Sequence, residues 1–324
     1  MDMRKLGRTG LMVSELCMGT MQFGWTADEP TSHEVLTAGW EAGINFIDTA
    51  NVYSRWVAGN PGGVAETYIG NWMTKNNIPR DRLVLATKVR GQMSDDPLDQ
   101  GLSRRHILQA VEDSLRRLQT DHIDLYQAHS PDDKTPIDET LRAMDDLVRQ
   151  GKVLYVGVSN FKAWQLMEAL WASDSHNTVR VDCIQPRYHL LHRAEFEREL
   201  ATVCRKYEVG VIPYSPLAGG FLTGKYRRGQ DIPENSRGKT SQTVQGYMND
   251  RGWAVVDLLE SMGREKGGKS ISQMALAWQL SDPLITSPII GPKDMEQFND
   301  NIGAAGLRLS PEEKTALDTA TKWD

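Results

Sequence analysis

An acid, a phenol, an amine and an imidazole follow three successive apolar runs of this sequence. Asp48 and Tyr53 lie in FIDTANVY, Lys88 lies in LATKV, and His129 ends IDLYQAH. A buried carboxylate is costly unless a cation pairs with it, so we expect Asp48 and Lys88 to form a buried ion pair. The nearby ammonium is expected to lower the pKa of Tyr53, which would make the phenol a better proton donor near neutral pH. With His129 hydrogen-bonding a substrate oxygen, the four side chains indicate a site that protonates an oxygen while something else attacks its carbon.

The elements that must position these groups are eight short apolar runs that alternate with amphipathic segments. The runs are SELCMGT, NFIDTA, LVLATKV, IDLYQAH, VLYVGVSN, DCIQPRY, GVIPYSP and SPIIGPK. Because they are rich in Val, Ile and Leu without alternation, they are typical of strands that are covered on both faces. Eight strand–helix units predict an α/β fold, a (β/α)8 TIM barrel formed as a single domain over residues 1–324, with its site at the carboxyl ends of the strands.

Local signals predict further elements around the barrel. Residues 3–13 are predicted to form an N-terminal β-hairpin with its turn between Gly7 and Gly10. The polar residues 226–245 follow the seventh strand, and such a long loop is predicted to be a lid or a disordered segment. The clearest amphipathic helices are predicted at residues 103–118, 136–150, 161–171 and 193–207.

Tryptophans fall into two groups by their position in these elements. Trp25 and Trp56 follow the first and second strands, so they are candidates to line a substrate pocket, and Trp253 is assigned near a loop as well. Five further tryptophans fall in helical patterns and are predicted to pack in the core. These are Trp40, Trp72, Trp164, Trp171 and Trp278.

Composition excludes several classes of function. The chain has 324 residues, of which 25% are charged, and its net charge is −6 with no basic stripe, which argues against nucleic acid as a partner. No apolar run approaches a membrane span and no export signal is visible, so a soluble cytoplasmic protein is expected. Cys17, Cys183 and Cys204 are expected to be buried, reduced thiols. His189 and His192 lack further ligands nearby, so no metal is expected.

One glycine-rich stretch has a near match to a nucleotide-binding motif. Gly219, Gly224 and Lys225 have P-loop spacing, but Tyr226 stands where Ser or Thr is required, so an NTPase is rejected. A glycine-rich loop after a strand still suits contact with phosphate through backbone N–H groups, as in a dinucleotide pyrophosphate. No GxGxxG follows a strand, which disfavours an ordinary Rossmann dehydrogenase.

Over nearly its whole length the chain resembles the aldo-keto reductase superfamily. The matching stretches are LGRTGLMVSELCMGTMQFG, AGINFIDTANVY, LATKV, IDLYQAHSPD, GKVLYVGVSNF, YSPLAGGFLTGKY and PIIGPKDMEQFNDNIGAA. The resemblance implies a barrel that binds NADP(H) without a Rossmann fold and transfers hydride to the carbon of an aldehyde or ketone. It implies a catalytic tetrad of Asp48, Tyr53, Lys88 and His129, in which Tyr53 supplies the proton.

The resemblance also implies which residues contact the cofactor. Ser159, Asn160 and Gln185 match residues that hold the carboxamide, and Tyr214 matches the aromatic that stacks on the nicotinamide. The whole implied set is Gly19, Thr20, Met21, Asp48, Ser159, Asn160, Gln185, Tyr214, Ser215, Pro216, Leu217, Gly219, Lys225, Arg237, Gly291, Lys293, Gln297 and Asn301. Relatives often have Arg or Ser at the position of Lys293, but a Lys can meet a 2′-phosphate as a point charge, so NADPH is expected to be preferred over NADH.

Two other functions remain open at the level of sequence. Potassium channel β-subunits are similar in barrel and cofactor motifs, which leaves a catalytically weak NADP(H)-binding regulatory module as an alternative. A barrel isomerase for phosphosugars would use Asp48 as its base, although Lys88 should keep that carboxylate occupied. The complete tetrad favours an enzyme that acts on a small carbonyl substrate, with no protein partner implied.

Overall fold

Eight parallel strands form the centre of the molecule, and a two-stranded hairpin precedes them. The computed structural model describes residues 1–323. The hairpin pairs β1 (Met3–Lys5) with β2 (Met12–Ser14). The barrel strands are β3 (Cys17–Gly19), β4 (Phe46–Asp48), β5 (Val84–Val89), β6 (Ile123–Ala128), β7 (Val153–Ser159), β8 (Val181–Gln185), β9 (Gly210–Val211) and β10 (Ile289–Ile290). The predicted hairpin and the predicted eight-stranded α/β architecture are both confirmed.

Hydrogen bonds join the two ends of this sheet and close it. The strand order is β10, β3, β4, β5, β6, β7, β8, β9, so β9 and β10 are its outer members. Ile289 N–H donates to the carbonyl of Pro213 (2.9 Å), and Thr286 N–H donates to the carbonyl of Val211 (2.8 Å). A parallel sheet closed in this way leaves no free edge, and the carboxyl ends of all eight strands meet at one mouth.

Helices cover the outside of the barrel and fill the long interval between β9 and β10. They are α1 (Glu29–Glu41), α2 (Val64–Lys75), α3 (Arg104–Leu118), α4 (Ile137–Arg149), α5 (Ala163–His176), α6 (Ala201–Tyr207), α7 (Arg237–Thr240), α8 (Gln242–Gly246), α9 (Asp250–Glu265), α10 (Ile271–Leu280), α11 (Met295–Ile302) and α12 (Pro311–Ala320). Ser103 caps α3 by accepting a hydrogen bond from His106 N–H, as its position before the amphipathic pattern predicts. The helix predicted at 193–207 is π-helical over Phe196–Leu200. None of the helices within residues 1–323 is long and apolar enough to cross a membrane.

The hairpin plugs the amino-terminal end of the barrel. Leu6 and Val13 are fully buried and belong to the same apolar cluster as Phe46 and Ile212 of the barrel interior. Gly7 has φ +55°, and a Cβ there would lie 2.5 Å from the backbone nitrogen of Gly210, so a side chain is excluded. Because this end is closed, ligands reach the barrel from the carboxyl-terminal mouth.

The three cysteines and the helical tryptophans test the predicted core. All three cysteines are free and buried, as expected. Trp72 and Trp278 are buried, but Trp164 and Trp171 are 59% and 65% exposed, so their predicted packing was wrong. Since these two residues are seven apart on α5, they share one face, and the helix buries its other face through residues such as Leu166.

The segment after β9 is folded, and this corrects the disordered alternative for residues 226–245. Tyr226 is buried, and its hydroxyl accepts a hydrogen bond from Gly238 N–H (2.9 Å) at α7. Val244 of α8 is also buried, so both short helices are anchored to the body of the protein. Trp253 lies within α9 and packs against Phe221 at 5.2 Å, which corrects its assignment near a pocket loop.

Candidate active site

The ammonium of Lys88 is held in a buried ion pair at the mouth of the barrel. Its Nζ donates to Asp48 Oδ2 (2.6 Å), to the carbonyl of Thr49 (2.8 Å) and to Tyr53 Oη (3.0 Å). Lys88 and Asp48 are 0% and 1% exposed. Burial lowers the pKa of Lys88, but Asp48 and Tyr53 more than offset this, and the net pKa is raised. The expected ion pair is therefore present, and it uses all three N–H donors of the ammonium.

Asp48 also joins β4 to strands further around the barrel. Its Oδ1 accepts hydrogen bonds from Gln127 Nε2 (3.0 Å) and Gln185 Nε2 (2.9 Å). Sequence reasoning identified Gln185 but missed Gln127. The register offers the signal that was overlooked, because Lys88 and Gln127 are partners across β5 and β6 and so share the inner face of the barrel. Both carboxylate oxygens of Asp48 are thus occupied.

Tyr53 presents its hydroxyl hydrogen to the mouth. Because its oxygen accepts from Lys88, the O–H bond remains free to donate to another oxygen. Burial raises the pKa of Tyr53, and the positive charge of Lys88 opposes this without offsetting it. The expected lowering was therefore wrong, since it counted the charge of Lys88 and not the desolvation of the phenol. Tyr53 consequently holds its proton firmly in the absence of a ligand.

His129 lies beside Tyr53 as a neutral imidazole. The two rings are 5.9 Å apart, and the backbone N–H of His129 donates to the carbonyl of Val89 (2.9 Å). Burial, followed by the charges of Lys88 and Arg90, lowers the pKa of His129 to about 3. A neutral imidazole carries one N–H donor, so the ring can donate to an oxygen that also meets Tyr53.

Two tryptophans form an aromatic rim over Tyr53. The rings of Trp25 and Trp56 are 5.7 Å apart and nearly perpendicular, and Trp56 lies 6.3 Å from the ring of Tyr53. Their exposed fractions are 41% and 49%. The structure thus places Trp56 next to the phenol and Trp25 against Trp56, and the two rings form a partly exposed apolar wall.

The residues expected near a carboxamide form one hydrogen-bonded network after β7, β8 and β9. Ser159 Oγ donates to the carbonyl of Gln185 (2.9 Å), and Asn160 Nδ2 donates to Ser159 Oγ (3.1 Å). Tyr214 Oη donates to Asn160 Oδ1 (2.8 Å), which ties the phenol ring across the mouth. Thr20 Oγ1 donates to the carbonyl of Asp48 (3.0 Å), which links the end of β3 to the end of β4.

Three cations gather on the side of the mouth where β9 and β10 end. They are Lys225, Arg237 and Lys293, called here the cationic cluster, and within residues 1–323 none has a carboxylate within ion-pair distance. Desolvation, and then the charges of Lys293 and Arg237, lowers the pKa of Lys225. Arg237 stacks over Trp25 at 5.2 Å, while its buried Nη2 atom has no hydrogen-bond partner. An orphaned guanidinium with two nearby ammonium groups fits a phosphate-bearing ligand.

The loop that leads to this cluster has an unusual backbone. Ser215, Ala218, Gly219 and Gly220 all have positive φ, between +52° and +97°. Consecutive left-handed residues produce concave backbone that suits anions. A Cβ at Gly220 would lie 2.8 Å from Lys225 Nζ, so glycine leaves room for that side chain. Pro216 and Leu217 lie within the same turn, between Ser215 and Ala218.

The remaining cofactor candidates line the rim next to the cationic cluster. Gln297 Oε1 accepts from the backbone N–H of Lys293 (3.3 Å), and Asn301 is buried one turn further along α11. Gly19 ends β3 so close to β10 that a Cβ would meet Ile289 at 2.5 Å. Met21 and Gly291 follow those two strands at the mouth.

Metal-ligating side chains do not gather at this site or at the histidine pair. No group of three or more His, Cys, Asp or Glu side chains is arranged to hold a metal ion in the part of the chain that the structure describes. The rings of His189 and His192 are 5.7 Å apart, and His189 Nε2 is 3.3 Å from Tyr247 Oη. This pair is therefore part of a hydrogen-bonded contact with the segment after β9.

Comparison with known proteins agrees with the fold. The family model described as "Aldo/keto reductase family" matches residues 15–322. The chain is 40% identical over 316 residues to a Bacillus subtilis (strain 168) protein named "Uncharacterized oxidoreductase YrpG". That match covers 96% of this chain and 93% of the relative.

Proposed function

The chain belongs to the aldo/keto reductase family, and from that premise we propose that it is an NADP(H)-dependent carbonyl reductase. It would convert an aldehyde or ketone to the alcohol, reversibly, with Tyr53 as the proton donor. The observation that carries the proposal is the hydrogen-bond pattern of Lys88, whose three donors are all used. Because Lys88 has no donor left, the proton that a substrate oxygen receives would come from the hydroxyl of Tyr53.

Proton delivery follows from the charges around Tyr53. The phenol is protonated when the substrate arrives, because burial keeps its pKa raised. As the O–H bond breaks, the phenolate that develops lies 3.0 Å from the ammonium of Lys88, which stabilises it. Asp48 keeps that ammonium in place through its 2.6 Å contact, and neutral His129 can donate a second hydrogen bond to the substrate oxygen. The aromatic rim excludes water from one side of this oxygen.

The residues present fit a bound NADP(H). A nicotinamide bound between Tyr214 and the tetrad would supply the hydride that the carbonyl carbon accepts. Ser159, Asn160 and Gln185 would hold its carboxamide. Lys225, Arg237 and Lys293 would meet the phosphates, with Lys293 assigned to the 2′-phosphate that distinguishes NADPH from NADH. The cationic cluster supports this assignment, because none of its three cations forms an ion pair within residues 1–323 and Arg237 Nη2 is buried without a hydrogen-bond partner.

Different observations distinguish the reductase from its two alternatives, a phosphosugar isomerase and a regulatory module. An isomerase that uses Asp48 as its base is disfavoured, since both oxygens of that carboxylate accept hydrogen bonds and one is ion-paired. A regulatory module of the potassium channel β-subunit type would bind NADPH and show negligible turnover without a partner. We place the enzyme in a reducing, cytoplasmic compartment, which suits its three buried free thiols.

The test is steady-state oxidation of NADPH with para-nitrobenzaldehyde, followed by the loss of NADPH absorbance. Tyr53→Phe should lower kcat by roughly 10²–10⁴-fold, because it removes the proton donor. Its affinity for NADPH, measured by fluorescence titration, should stay close to that of the wild type. Near-wild-type turnover by Tyr53→Phe would contradict the mechanism, and NADPH binding without turnover by the wild type would favour the regulatory module.

A further inference from the structure

Arg90 is an arginine at the mouth that belongs neither to the tetrad nor to the candidate cofactor site. It comes directly after β5, two residues beyond Lys88. Its Nε donates to the carbonyl of Pro131 (3.2 Å), and its own carbonyl accepts from Gly101 N–H (3.0 Å). The side chain is therefore fixed between the loops that follow the third and fourth barrel strands, on the His129 side of the mouth.

The guanidinium of Arg90 forms no ion pair within the part of the chain that the structure describes. Within residues 1–323, no carboxylate lies within ion-pair distance, and its two Nη groups have no hydrogen-bond partner. Asp132 is the acid of the adjoining loop, but its oxygens accept from Leu102 N–H (2.8 Å), Lys134 N–H (3.1 Å) and Thr135 Oγ1 (2.8 Å). Arg90 is exposed just beyond the carboxyl end of β5, so four of its N–H donors are left for a ligand, in a protein whose net charge is −6.

The backbone at Arg90 is held in a conformation that favours glycine. Its φ is +129°, the largest positive value among the non-glycine residues described. The backbone is constrained at the next residue too, because a Cβ at Gly91 would lie 2.6 Å from Val52 Cβ. Strained backbone of this kind persists where the surrounding structure demands it, and it is concentrated at binding and catalytic sites. The surrounding structure therefore fixes the backbone from which the Arg90 side chain extends.

Arg90 is also coupled to the candidate chemistry. The preceding carbonyl, that of Val89, accepts the backbone hydrogen bond of His129 (2.9 Å), and the charge of Arg90 contributes to lowering the pKa of His129. A different arginine, Arg187, follows β8 on the side of the mouth that holds Tyr214. It donates to Tyr247 Oη and pairs by a backbone bridge with Tyr214, the residue assigned to the nicotinamide.

We propose that Arg90 binds a carboxylate of the substrate, so that the carbonyl compounds this protein reduces best are carboxylate-bearing aldehydes or ketones. A planar guanidinium matches a carboxylate with two parallel N–H···O bonds, and both Nη groups are available for them. The reacting carbonyl would then lie between Tyr53 and His129 with its acidic end toward the β5 and β6 loops. The inference rests on the proposed function and adds a substrate class to it.

The experiment compares kcat/KM for para-carboxybenzaldehyde and para-nitrobenzaldehyde, which differ mainly in charge. The measured quantity is the ratio of the two values in wild type, Arg90→Met and Arg90→Gly. Both variants should lower the carboxy-to-nitro ratio at least about tenfold, chiefly through KM of the charged aldehyde, because a charged hydrogen-bonding pair is lost. Arg90→Gly also suits the positive φ, so it guards against loss of folding in Arg90→Met.

Arg82→Met is the matched control. Arg82 precedes β5 at the closed end of the barrel, its side chain is 76% exposed, and its guanidinium pairs with Asp81 at 3.7 Å, so this variant changes the net charge equally without touching the mouth. Its ratio should equal that of the wild type. An unchanged ratio in both Arg90 variants, an equal fall in Arg82→Met, or a fall confined to Arg187→Met would overturn the inference. If wild type reduces neither aldehyde, the proposed function and this inference fail together, whereas reduction of both at an unaltered ratio removes the inference alone.

Discussion

The buried tetrad and the cationic cluster occupy neighbouring parts of one mouth. Within residues 1–323 the charges of Lys88 and Asp48 are paired with each other, whereas the charges of the cationic cluster form no ion pair. The three N–H donors of Lys88 and both carboxylate oxygens of Asp48 have partners within the protein, and both side chains are buried. In the cationic cluster, Arg237 has a buried Nη2 atom without a partner and lowers the pKa of Lys225. The groups assigned to chemistry are preorganised before any ligand binds, whereas the groups assigned to binding are completed by the ligand.

This difference predicts opposite effects of the same kind of substitution. Removing a cation from the tetrad leaves a buried carboxylate without its counter-charge, which destabilises the fold. Removing a cation from the cationic cluster relieves repulsion between like charges. The ligand-free protein should therefore lose no folding stability, while the ligand loses a contact. The predictions below test this contrast in order of the expected effect.

The largest effect is expected for Lys88→Met. Asp48 would stay buried without its partner, which should cost about 3–5 kcal/mol of unfolding free energy, and turnover should fall to background. Urea denaturation and NADPH oxidation measure the two losses. Lys75→Met, at the exposed end of α2, is the control that removes a lysine without a buried partner. Wild-type stability in Lys88→Met would show that the ion pair contributes nothing to the fold.

A smaller and more selective effect is expected for Lys293→Met. We expect the Kd for NADPH to rise about tenfold, since one charged contact to the 2′-phosphate is lost, while the Kd for NADH changes little. The free protein should be no less stable, because Lys293 has no carboxylate partner within the described residues. Fluorescence titration with both dinucleotides gives the comparison. Equal losses for NADPH and NADH would show that Lys293 does not contact the 2′-phosphate.

The smallest effect concerns the pH dependence of stability. The pKa of His129 is about 3 in the folded protein and about 6.5 when unfolded, so the unfolded state binds the extra proton between these values. The contribution of His129 is therefore complete above about pH 6.5 and is lost as the pH falls towards 3, with a slope below about 1.4 kcal/mol per pH unit. His129→Gln should flatten the unfolding free energy measured at mildly acidic pH. An unaltered slope would show that the imidazole is not kept neutral by the fold.

Sequence reasoning located the strand ends and the Asp48–Lys88 pair because both follow from local patterns. Apolar runs predict strands, and a buried acid requires a cation from a neighbouring strand. Gln127 was missed because an amide in an apolar run carries no such requirement. The pKa of Tyr53 was predicted in the wrong direction because its sign depends on burial, which the sequence does not give. Helical spacing likewise could not show that α5 places Trp164 outward.

The cross-barrel contacts of Asp48 have a consequence for how the protein acquires activity during folding. The carboxylate bonds to residues 40, 79 and 137 positions away in the sequence, so four strands must be in register before it is fully satisfied. Contacts of such long range form late, after local helices. Regain of turnover on refolding should therefore lag behind the recovery of helical circular dichroism, and the active site then acts as an internal reporter of barrel closure.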